Sequence, residues 1–377
     1  MSATDSALRV RVPCGQAYDI IIEAGALGRL SDRVSAAVPA HRYVVIADSH
    51  VSSLYAADIV QALTADGHRA DLFEFPAGEW NKNREEWIAL SDRMLAAGVG
   101  RDSAVLAVGG GVTGDLAGFV SATYMRGLPV VQVPTSLLAM LDSSVGGKTG
   151  VDTDAGKNLV GAFHHPALVV IDPEVLGTLP RMQRLAGLAE GIKTAAILDV
   201  GLWDWIEDRA ADLTGGDIDT LAELIRRTVS HKMDVVAGDP TESGRRAILN
   251  FGHTVGHALE ALEGYTVLHG EAVAAGMRVE ARLGEILGIT ETGTAERIVR
   301  LLQACGLDRE WETERRHDEV AEAMVLDKKS RAARPRCVFL EHLGAVVRDP
   351  NGGYTIALDD DALEGPLADA LRPASKP

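Results

Sequence analysis

The stretch AVLAVGGGVTGDLAGF, residues 104–119, decides the fold class of the chain. Five apolar residues lead into three consecutive glycines, and small and apolar residues continue beyond them. A short apolar run is typical of a buried strand, and glycine permits the tight turn by which a strand enters a helix. The stretch therefore predicts strand, turn and helix in succession, which is the repeating unit of a parallel α/β sheet.

Similar apolar runs recur through the first half of the chain. Polar segments and amphipathic helical patterns separate them, for example EEWIALSDRMLAAGV at residues 85–99. Near the start, RVRVP and DIIIEA predict an antiparallel hairpin or edge strands. The other predicted strands are residues 43–49, 70–75, 129–134 and 167–172.

The second half has a different character. Long amphipathic helical patterns dominate from about residue 180 to residue 331, and RCVFLEHLGAVV then predicts a late hairpin. The sequence therefore predicts an α/β domain over residues 1–180 and a mainly helical domain over residues 181–377. We expect the hairpin, near residues 336–348, to return to the sheet.

The composition narrows the class of protein. Of the 377 residues, 46% are hydrophobic and 24% are charged, and the formal net charge is −17. An acidic chain is poorly suited to nucleic acid, which is bound by clustered Lys and Arg. The three cysteines match no disulfide framework, and no stretch has the roughly 18 apolar residues of a membrane span. We expect a cytoplasmic protein with neither nucleic acid nor membrane as a partner.

The glycines suggest a nucleotide site without proving one. Gly109, Gly111 and Gly114 fit G-x-G-x-x-G after a strand, where backbone N–H groups and a helix N-terminus favour phosphate. However, the motif follows the third α/β strand rather than the first, and no acidic residue lies about 20 positions later. Asp48, at the end of the first α/β strand, could hold a ribose instead. A simple strand-to-helix turn is the alternative.

A second stretch, LDSSVGGKTGVDTDAGKNLVGAF at residues 141–163, places lysines among glycines. It contains Asp142, Lys148, Lys157 and Asn158. A lysine beside glycine-rich backbone is a recurring arrangement for phosphate, because a point charge acts together with N–H donors. The alternative is a solvated loop with ordinary surface lysines.

Three histidines lie within seventeen residues, in NFGHTVGHALEALEGYTVLHGEAV at residues 250–273. His253 and His257 are four apart and share a helix face, so spacing alone predicts them as a ligand pair. His269 follows in L-H-G-E, and the sequence is not the H-E-x-x-H of metalloproteases. Packing in a helical core is the alternative. Polar residues on neighbouring patterns are Glu190, Lys193, Lys232, Arg246 and Asn250.

Taken in order along the chain, these motifs resemble those of the 3-dehydroquinate synthases of the sugar-phosphate cyclase superfamily. The resemblance extends from Asp48 to Lys329. It is carried by PAGEWNK, GGGVTGDLAGFVSATYMRG, QVPTSLLAMLDSSVGGKTGVD, GKNLVGAF, GLAEGIK, RRAILNFGHTVGHALE, LHGEAVAAGM and DKK.

The resemblance implies a Rossmann-like N-terminal NAD domain and a mostly α-helical metal- and substrate-binding domain. It implies a zinc or cobalt ion held by Glu190, His253 and His269, so His257 becomes a catalytic residue rather than a ligand. The implied NAD-binding residues are Asp48, Glu79, Lys82, Gly110, Gly111, Val112, Asp115, Thr135, Ser136, Asp142, Lys148, Lys157 and Thr178. Ser136 stands where the family usually has threonine, which keeps the hydroxyl.

The resemblance also implies a reaction of the shikimate pathway, the conversion of 3-deoxy-D-arabino-heptulosonate 7-phosphate to 3-dehydroquinate and phosphate. A carbinol is oxidised, phosphate is eliminated, the ketone is reduced again, and an intramolecular aldol reaction closes the ring. The implied catalytic residues are Lys148, Lys193, Lys232, Arg246, Asn250 and His257. The implied substrate-binding residues are Arg126, Asp142, Asn158 and Lys328 or its neighbour Lys329, with Arg126 lent by the partner subunit of a homodimer.

Other readings stay open at this point. A sister cyclase with a valiolone-type product would share most of these motifs but is expected to differ at Lys232, Asn250 and His257, which here have the dehydroquinate-synthase type. An aminodehydroquinate synthase would share nearly all of the motifs. A metal-dependent NAD polyol dehydrogenase would share the two-domain plan but would not need so many cationic residues. A non-catalytic nucleotide-binding protein would be expected to have lost some of these positions.

Overall fold

A computed structural model describes residues 7–11, 17–309, 311, 317–326 and 334–372 of the chain. They form two compact units, one within residues 1–179 and 232–240 and the other within residues 180–231 and 241–377. The division is thus not a single cut of the chain, because nine residues from the second half group with the first unit.

The first unit is an α/β structure. Its strands are β1 Ala7–Arg11, β2 Ala17–Ile22, β3 Arg42–Asp48, β4 Arg69–Phe75, β5 Ser103–Gly109, β6 Val130–Pro134, β7 Lys148–Thr153, β8 Gly156–Phe163 and β9 Leu168–Ile171. Its helices are α1 Leu30–Ala37, α2 Ser49–Val51, α3 Ala57–Ala65, α4 Arg84–Ala96 and α5 Gly111–Thr123.

Seven of these strands form one sheet in the order β1-β2-β9-β6-β5-β3-β4. Neighbouring strands pair in parallel throughout, except that β1 pairs antiparallel with β2 at the edge. The predicted parallel α/β sheet and the antiparallel pair near the start are both confirmed. Strands β3 and β5 are buried along nearly their whole length, which explains why they are continuous apolar runs rather than alternating ones.

Side chains of β3 alternate between two cores. Val45 packs on one face with residues of α1 and α3, such as Val34 and Leu63. Val44 and Ile46 pack on the other face with residues of α4 and α5. Helices therefore cover both faces of the sheet, and ligands of such sheets bind at the strands' carboxyl ends, where the strand order reverses. Here the reversal lies between β3 and β5, because the chain leaves β3 toward β4 and returns to the opposite side of β3.

The lysine-rich stretch has a structure that was not predicted. Strands β7 and β8 pair antiparallel as a separate hairpin, with Lys148 opposite Phe163. Glycines allow the two strands to approach closely, since a Cβ on Gly161 would lie 2.2 Å from the carbonyl oxygen of Thr149. The hairpin gives the lysines of this stretch fixed positions on a paired backbone.

The second unit is mainly helical. Its helices are α6 Arg181–Leu198, α7 Val200–Gly215, α8 Ile218–Gly238, α9 His253–Leu262, α10 His269–Ile286, α11 Thr294–Ala304, α12 His317–Leu326, α13 Asp360–Leu363 and α14 Gly365–Leu371, with the end of α8 grouping with the first unit. Its short strands are β10 Arg336–Cys337, β11 Leu340–His342, β12 Ala345–Val346 and β13 Ile356–Ala357.

The late hairpin differs from its prediction. Strand β11 pairs with β12 and β10 pairs with β13, each in a two-stranded sheet of its own. The described residues therefore do not return to the seven-stranded sheet, and Cys337, Phe339 and Leu358 instead pack with α9, α10 and α14. Among the described residues, no helix is long and apolar enough to cross a membrane.

Helix α10 crosses α6 and α9 with backbone against backbone. A Cβ on Gly270 would lie 1.8 Å from the carbonyl oxygen of Ala186 in α6. A Cβ on Gly276 would lie 1.9 Å from the carbonyl oxygen of Gly252, which precedes α9. Real Cβ atoms do not come so close to an oxygen, so only glycine fits at these two crossings.

Candidate nucleotide and metal sites

Asp48 is the last residue of strand β3, and its carboxylate accepts hydrogen bonds from the first turns of two helices, α2 and α5. Its Oδ1 accepts the backbone N–H groups of His50 and Val51 at 2.9 and 3.0 Å. Its Oδ2 accepts the hydroxyl of Thr113, in the first turn of α5, at 3.2 Å. Asp48 is thereby fixed at the reversal of strand order, the position expected for a group that contacts a nucleotide.

The glycines after β5 form the start of α5. Gly110 is the cap residue of that helix, and a Cβ there would lie 3.3 Å from the hydroxyl of Ser136. A Cβ on Gly111 would lie 3.3 Å from the hydroxyl of Ser143. The first N–H groups of a helix have no intrahelical acceptor, and the side chains nearest to these glycines are those of Ser136, Ser143 and Leu138. Gly110, Gly111 and Val112 therefore present a backbone that suits an anion.

Two further predicted residues lie beside the same sheet edge. Thr135 directly follows β6, and its N–H donates to the carbonyl of Gly109 at 2.9 Å. Thr178 lies beyond β9, with its hydroxyl 2.5 Å from the hydroxyl of Tyr55. Carboxyl ends of neighbouring parallel strands meet at one edge, which explains why residues so distant in sequence come together.

Lys82 is the centre of a buried ionic cluster. Its Nζ lies 2.9 Å from Glu79, 3.4 Å from Asp115 and 3.6 Å from Asp152. Lys157, on β8, lies 3.5 Å from Glu79 as well. Four of these residues were predicted from the resemblance, but Asp152 was missed because the hairpin that carries it was not predicted.

Charge is unevenly balanced in this cluster. Burial lowers the pKa of Lys82, but the surrounding carboxylates outweigh burial and raise it. Burial raises the pKa of Asp115 to about 6, because Lys82 offsets only part of the cost and Glu79 and Asp152 add repulsion. Burial likewise raises the pKa of Asp152. Among the described contacts, three carboxylates lie close to two lysines, so the carboxylates of this cluster repel one another.

The remaining predicted residues of the first unit are spread over four segments. Lys232, near the end of α8, donates to the carboxylate of Asp142 at 2.8 Å and also to the Asp142 carbonyl. Lys148 and Asn158 are exposed on the β7–β8 hairpin, and Asn158 has a left-handed φ of 55°. Arg126 is exposed at a turn and also left-handed, with a φ of 71°.

The second unit brings together three groups that could hold a metal. Glu190 of α6 places its Oε1 3.6 Å from Nε2 of His253 and 3.7 Å from Nε2 of His269. Ligand atoms of these three residues lie within 4.8 Å of one another. Tetrahedral zinc with bonds of about 2.0–2.2 Å separates its ligand atoms by about 3.3–3.6 Å. Two imidazole nitrogens and one carboxylate oxygen at this spacing therefore fit zinc or a similar divalent ion.

Neighbouring acceptors orient both rings. Nδ1 of His269 donates to Oε2 of the buried Glu260 at 3.2 Å, and Nδ1 of His253 donates to the carbonyl of Phe251 at 3.1 Å. Each ring therefore turns its Nε2 toward Glu190, which is the usual arrangement around a metal. Burial lowers the pKa of His269, but the hydrogen bonds that its ring donates to Glu190 and Glu260, together with their negative charge, outweigh burial and raise the pKa to about 10.

His257 is close to the metal group but occupies a different position. Its ring centre lies 5.4 Å from that of His253 and 5.9 Å from that of His269. It also shares a possible ligand group with Glu260 and His269. Spacing alone favoured His253 with His257, whereas the Nε2 atoms that face Glu190 are those of His253 and His269, the pair that the resemblance implies.

The other predicted residues of the second unit are held by polar contacts. The buried ammonium of Lys193 contacts the second oxygen of Glu190, one helical turn away. Asn250 donates from Nδ2 to Glu242 at 2.6 Å, and Glu242 has a left-handed φ of 57°. Arg246 is 1% exposed. Lys328 and Lys329 lie outside the described residues.

Sequence reasoning missed Glu260 and Glu242. A signal for Glu260 was available, because it lies three residues after His257 on the same helix face. No comparable signal exists for Glu242, whose contact with Asn250 arises from an irregular turn.

Together, a nucleotide-type sheet edge and a two-histidine, one-carboxylate group define a metal-dependent enzyme of the dinucleotide-binding class. The family model for the 3-dehydroquinate synthase N-terminal domain matches residues 72–186, and the model for the C-terminal domain matches residues 187–330. A 3-dehydroquinate synthase of Caldanaerobacter subterraneus is 43% identical over 332 residues, which cover 88% of this chain and 93% of that protein. The chain belongs to the 3-dehydroquinate synthase family.

Solved structures share the fold. A 2-deoxy-scyllo-inosose synthase complexed with carbaglucose-6-phosphate, NAD⁺ and Co²⁺ has a TM-score of 0.87 at 24% identity, covering 96% of this chain and 99% of its own. The 2-epi-5-epi-valiolone synthase of Streptomyces hygroscopicus, with NAD⁺ and Zn²⁺ bound, has a TM-score of 0.84 at 26% identity, with the same coverage. Both solved cyclases therefore share the fold of this chain.

The ionic cluster predicts how stability depends on pH. Folding raises the pKa of Asp115 from a value near 4 in the unfolded chain to about 6. The contribution of this carboxyl to stability is therefore fully present below pH 4 and is lost as the pH rises through about 6. We therefore expect Asp115→Asn to stabilise the nucleotide-free protein little at pH 4 and by about 1–3 kcal/mol above pH 6. Thermal unfolding between pH 4 and 8 measures this difference, with the exposed Asp154→Asn as control. A gain that does not grow with pH would contradict the cluster's charge balance.

The orientation of His269 predicts the effect of Glu260. Glu260→Gln keeps the size of the side chain but removes the charge that holds Nδ1 of His269. Loss of such a partner typically weakens metal binding by about 10–100-fold. Competition with a chelator for Zn²⁺ measures the affinity, and the exposed Glu296→Gln on α11 serves as control. Equal affinity of wild type and Glu260→Gln would show that Glu260 does not tune the ligand.

Proposed function

We infer that the chain carries out the reaction of its family. It is a lyase that converts 3-deoxy-D-arabino-heptulosonate 7-phosphate to 3-dehydroquinate and inorganic phosphate, and it uses NAD and a divalent metal, zinc or cobalt. The observation that carries this inference is the 43% identity to a 3-dehydroquinate synthase over 93% of that protein. The sugar phosphate is a small anionic substrate. Lysines and arginines at the proposed site can bind such an anion, although the chain as a whole has a net charge of −17.

The first unit would hold the dinucleotide. NAD, when bound, supplies a hydride acceptor that is restored within each turnover. Asp48 is fixed to receive a ribose hydroxyl, and the start of α5 at Gly110, Gly111 and Val112 offers N–H groups to the pyrophosphate. Supporting roles are proposed for Glu79, Lys82, Asp115, Thr135, Ser136, Asp142, Lys148, Lys157 and Thr178.

The second unit would hold the metal. Glu190, His253 and His269 fit a divalent ion by donor type and by spacing. When bound, such an ion would polarise the hydroxyl of a carbinol and so ease the loss of hydride from the carbinol carbon. Lys193 contacts the outer oxygen of Glu190 and so leaves the other oxygen of that carboxylate facing the histidines.

The cationic residues suit a substrate with a carboxylate and a phosphate. We assign Lys148, Lys193, Lys232 and Arg246 to these charges and to the negative charge that develops as phosphate leaves. His257 and Asn250 are suited to hold or move a proton on substrate oxygens. Contacts to substrate hydroxyls are proposed for Asp142, Asn158 and Lys328, and contact to the phosphate is proposed for Arg126.

Several further assignments are proposals of the same kind. We propose a homodimer, in which Arg126 acts on the phosphate bound by the partner subunit. We also propose a cytoplasmic location, which agrees with a free and buried thiol at Cys305. The chain's acidity supports the absence of a nucleic-acid partner.

The activity is tested by following phosphate release and NADH absorbance together in the full-length protein with NAD and Zn²⁺. We expect phosphate from 3-deoxy-D-arabino-heptulosonate 7-phosphate with no accumulation of NADH, because the carbinol that is oxidised is later restored. Release from sedoheptulose 7-phosphate instead would assign the chain to a valiolone-type cyclase. NADH without phosphate would assign it to a polyol dehydrogenase.

One variant ties this activity to the site. Lys193→Met should lower kcat/KM by about 100-fold or more, the loss expected for a buried charge-assisted contact. Arg209→Met, an exposed residue on α7, should retain the wild-type value. If the Lys193→Met protein kept wild-type activity, the proposed catalytic role of Lys193 would be wrong.

The dimer proposal predicts complementation between two inactive variants. Arg126→Ala and Lys148→Ala subunits should each lose most of their activity, since each lacks a cation for the substrate. Heterodimers of the two should regain part of it, because one of their two sites would have both residues intact. The measurement is activity of a purified mixed dimer carrying two different affinity tags. Heterodimers that form but stay inactive would rule out a shared site.

A further inference from the structure

Glu280 is a buried carboxylate to which the proposed mechanism gives no role. It lies on α10 and is 0% exposed. It lies eleven positions after His269 on the same helix, which is about three turns, so both side chains project from the same side of α10. A charged group so deeply buried requires partners that stabilise it.

Its acceptors are directed at the start of helix α9. Oε2 of Glu280 accepts the N–H of Gly252 at 2.8 Å, and Oε1 accepts the N–H groups of Thr254 and Val255 at 3.1 and 3.2 Å. Helices usually satisfy these first N–H groups with the side chain of their own cap residue. Here the cap residue is Gly252, which has no side chain, so a neighbouring helix supplies the cap.

These three hydrogen bonds surround His253 in sequence. Two oxygens that accept from three N–H groups, one before His253 and two after it, fix the rotation of α9 about its axis as well as its end point. The negative charge also matches the positive end of the helix dipole. His253 and His257 leave α9 within its first five residues, so their directions depend on this rotation.

We propose that Glu280 is a positioning residue for the metal centre, which acts through α9 by orienting His253 and His257. Helix α10 then fixes the positions of the metal-site residues in two ways. It provides the ligand His269 directly, next to Glu260 near the end of α9, and it anchors the start of α9 through Glu280. This inference rests on the proposed metal site.

The chain provides a matched control for the test. Glu285, also on α10, accepts the N–H of Ala295 at 2.9 Å in the first turn of α11. The cap residue of α11 is Gly293, which again lacks a side chain. Helix α11 has no residue of the proposed site, so Glu285 caps a helix without positioning a ligand.

The experiment compares Glu280→Gln and Glu285→Gln with wild type in the full-length protein loaded with Co²⁺. The readouts are the visible ligand-field spectrum, the Co²⁺ affinity by chelator competition, and thermal unfolding with and without metal. We expect Glu280→Gln to lower the affinity by about 10–100-fold and to change the spectrum. Glu285→Gln should lower thermal stability while leaving affinity and spectrum at the wild-type values.

The other possible results would each contradict either the role of Glu280 or the metal site itself. If both variants lose stability alike and bind Co²⁺ as wild type does, Glu280 is only structural and the inference is overturned. If wild type itself binds no Co²⁺, the proposed metal site fails first. If Glu280→Gln does not fold, Glu280→Asp is compared with Glu285→Asp by the same readouts. Failure of both Glu280 variants to fold, while both Glu285 variants do, would also make the role structural and overturn the inference.

Discussion

The close crossing of α10 with α6 and α9 is the constraint on which the metal-binding unit depends. At Gly270 and Gly276 the helix backbones approach so closely that no Cβ fits. Each proposed ligand lies within one turn of such a crossing: His269 precedes Gly270, His253 follows Gly252, and Glu190 lies four residues after Ala186. Ligand atoms must be placed within fractions of an ångström, and contact between backbones is stiffer than contact through side chains.

In the first unit, the same precision comes from the sheet rather than from helix crossings. Parallel pairing brings the ends of β3, β5 and β6 to one edge, so Asp48, Gly110 and Thr135 become neighbours in space. The ionic cluster around Lys82 adds charge at a position fixed by the β7–β8 hairpin. Its excess of carboxylates is costly for stability, which is a common feature of residues retained for binding or catalysis rather than for the fold.

Regular periodicity made much of the fold predictable. Strands β3 to β6 and β9 were predictable because buried parallel strands are continuous apolar runs, and the helices of the second unit because their patterns are long. The β7–β8 hairpin was missed because its glycines and lysines indicate a loop, and its pairing depends on tertiary contact. The late hairpin was predicted as a hairpin, but a local pattern does not specify which sheet a strand joins.

The site residues divide along a similar line. Glycine turns and histidine spacing identified the regions, yet spacing paired His253 with His257, because residues four apart share a helix face whatever lies opposite that face. The histidine that faces Glu190 together with His253 is His269, and these residues lie on three different helices. A single sequence does not show which helices meet. Asp152 and Glu242 were missed for the same reason, since each acts through a contact made only in the folded chain, whereas Glu260 could have been found from its place on the helix face of His257.

The assignment of residues 232–240 to the first unit has a practical consequence for dissecting the protein. Helix α8 is a single run from Ile218 to Gly238, yet its last turns group with the nucleotide-type unit. A fragment that ended near residue 180 would contain the whole seven-stranded sheet but would lack Lys232 and its contact with Asp142. Neither unit can therefore be produced intact as one uninterrupted piece of the chain, and splitting the gene at the apparent domain boundary would divide a unit rather than separate two.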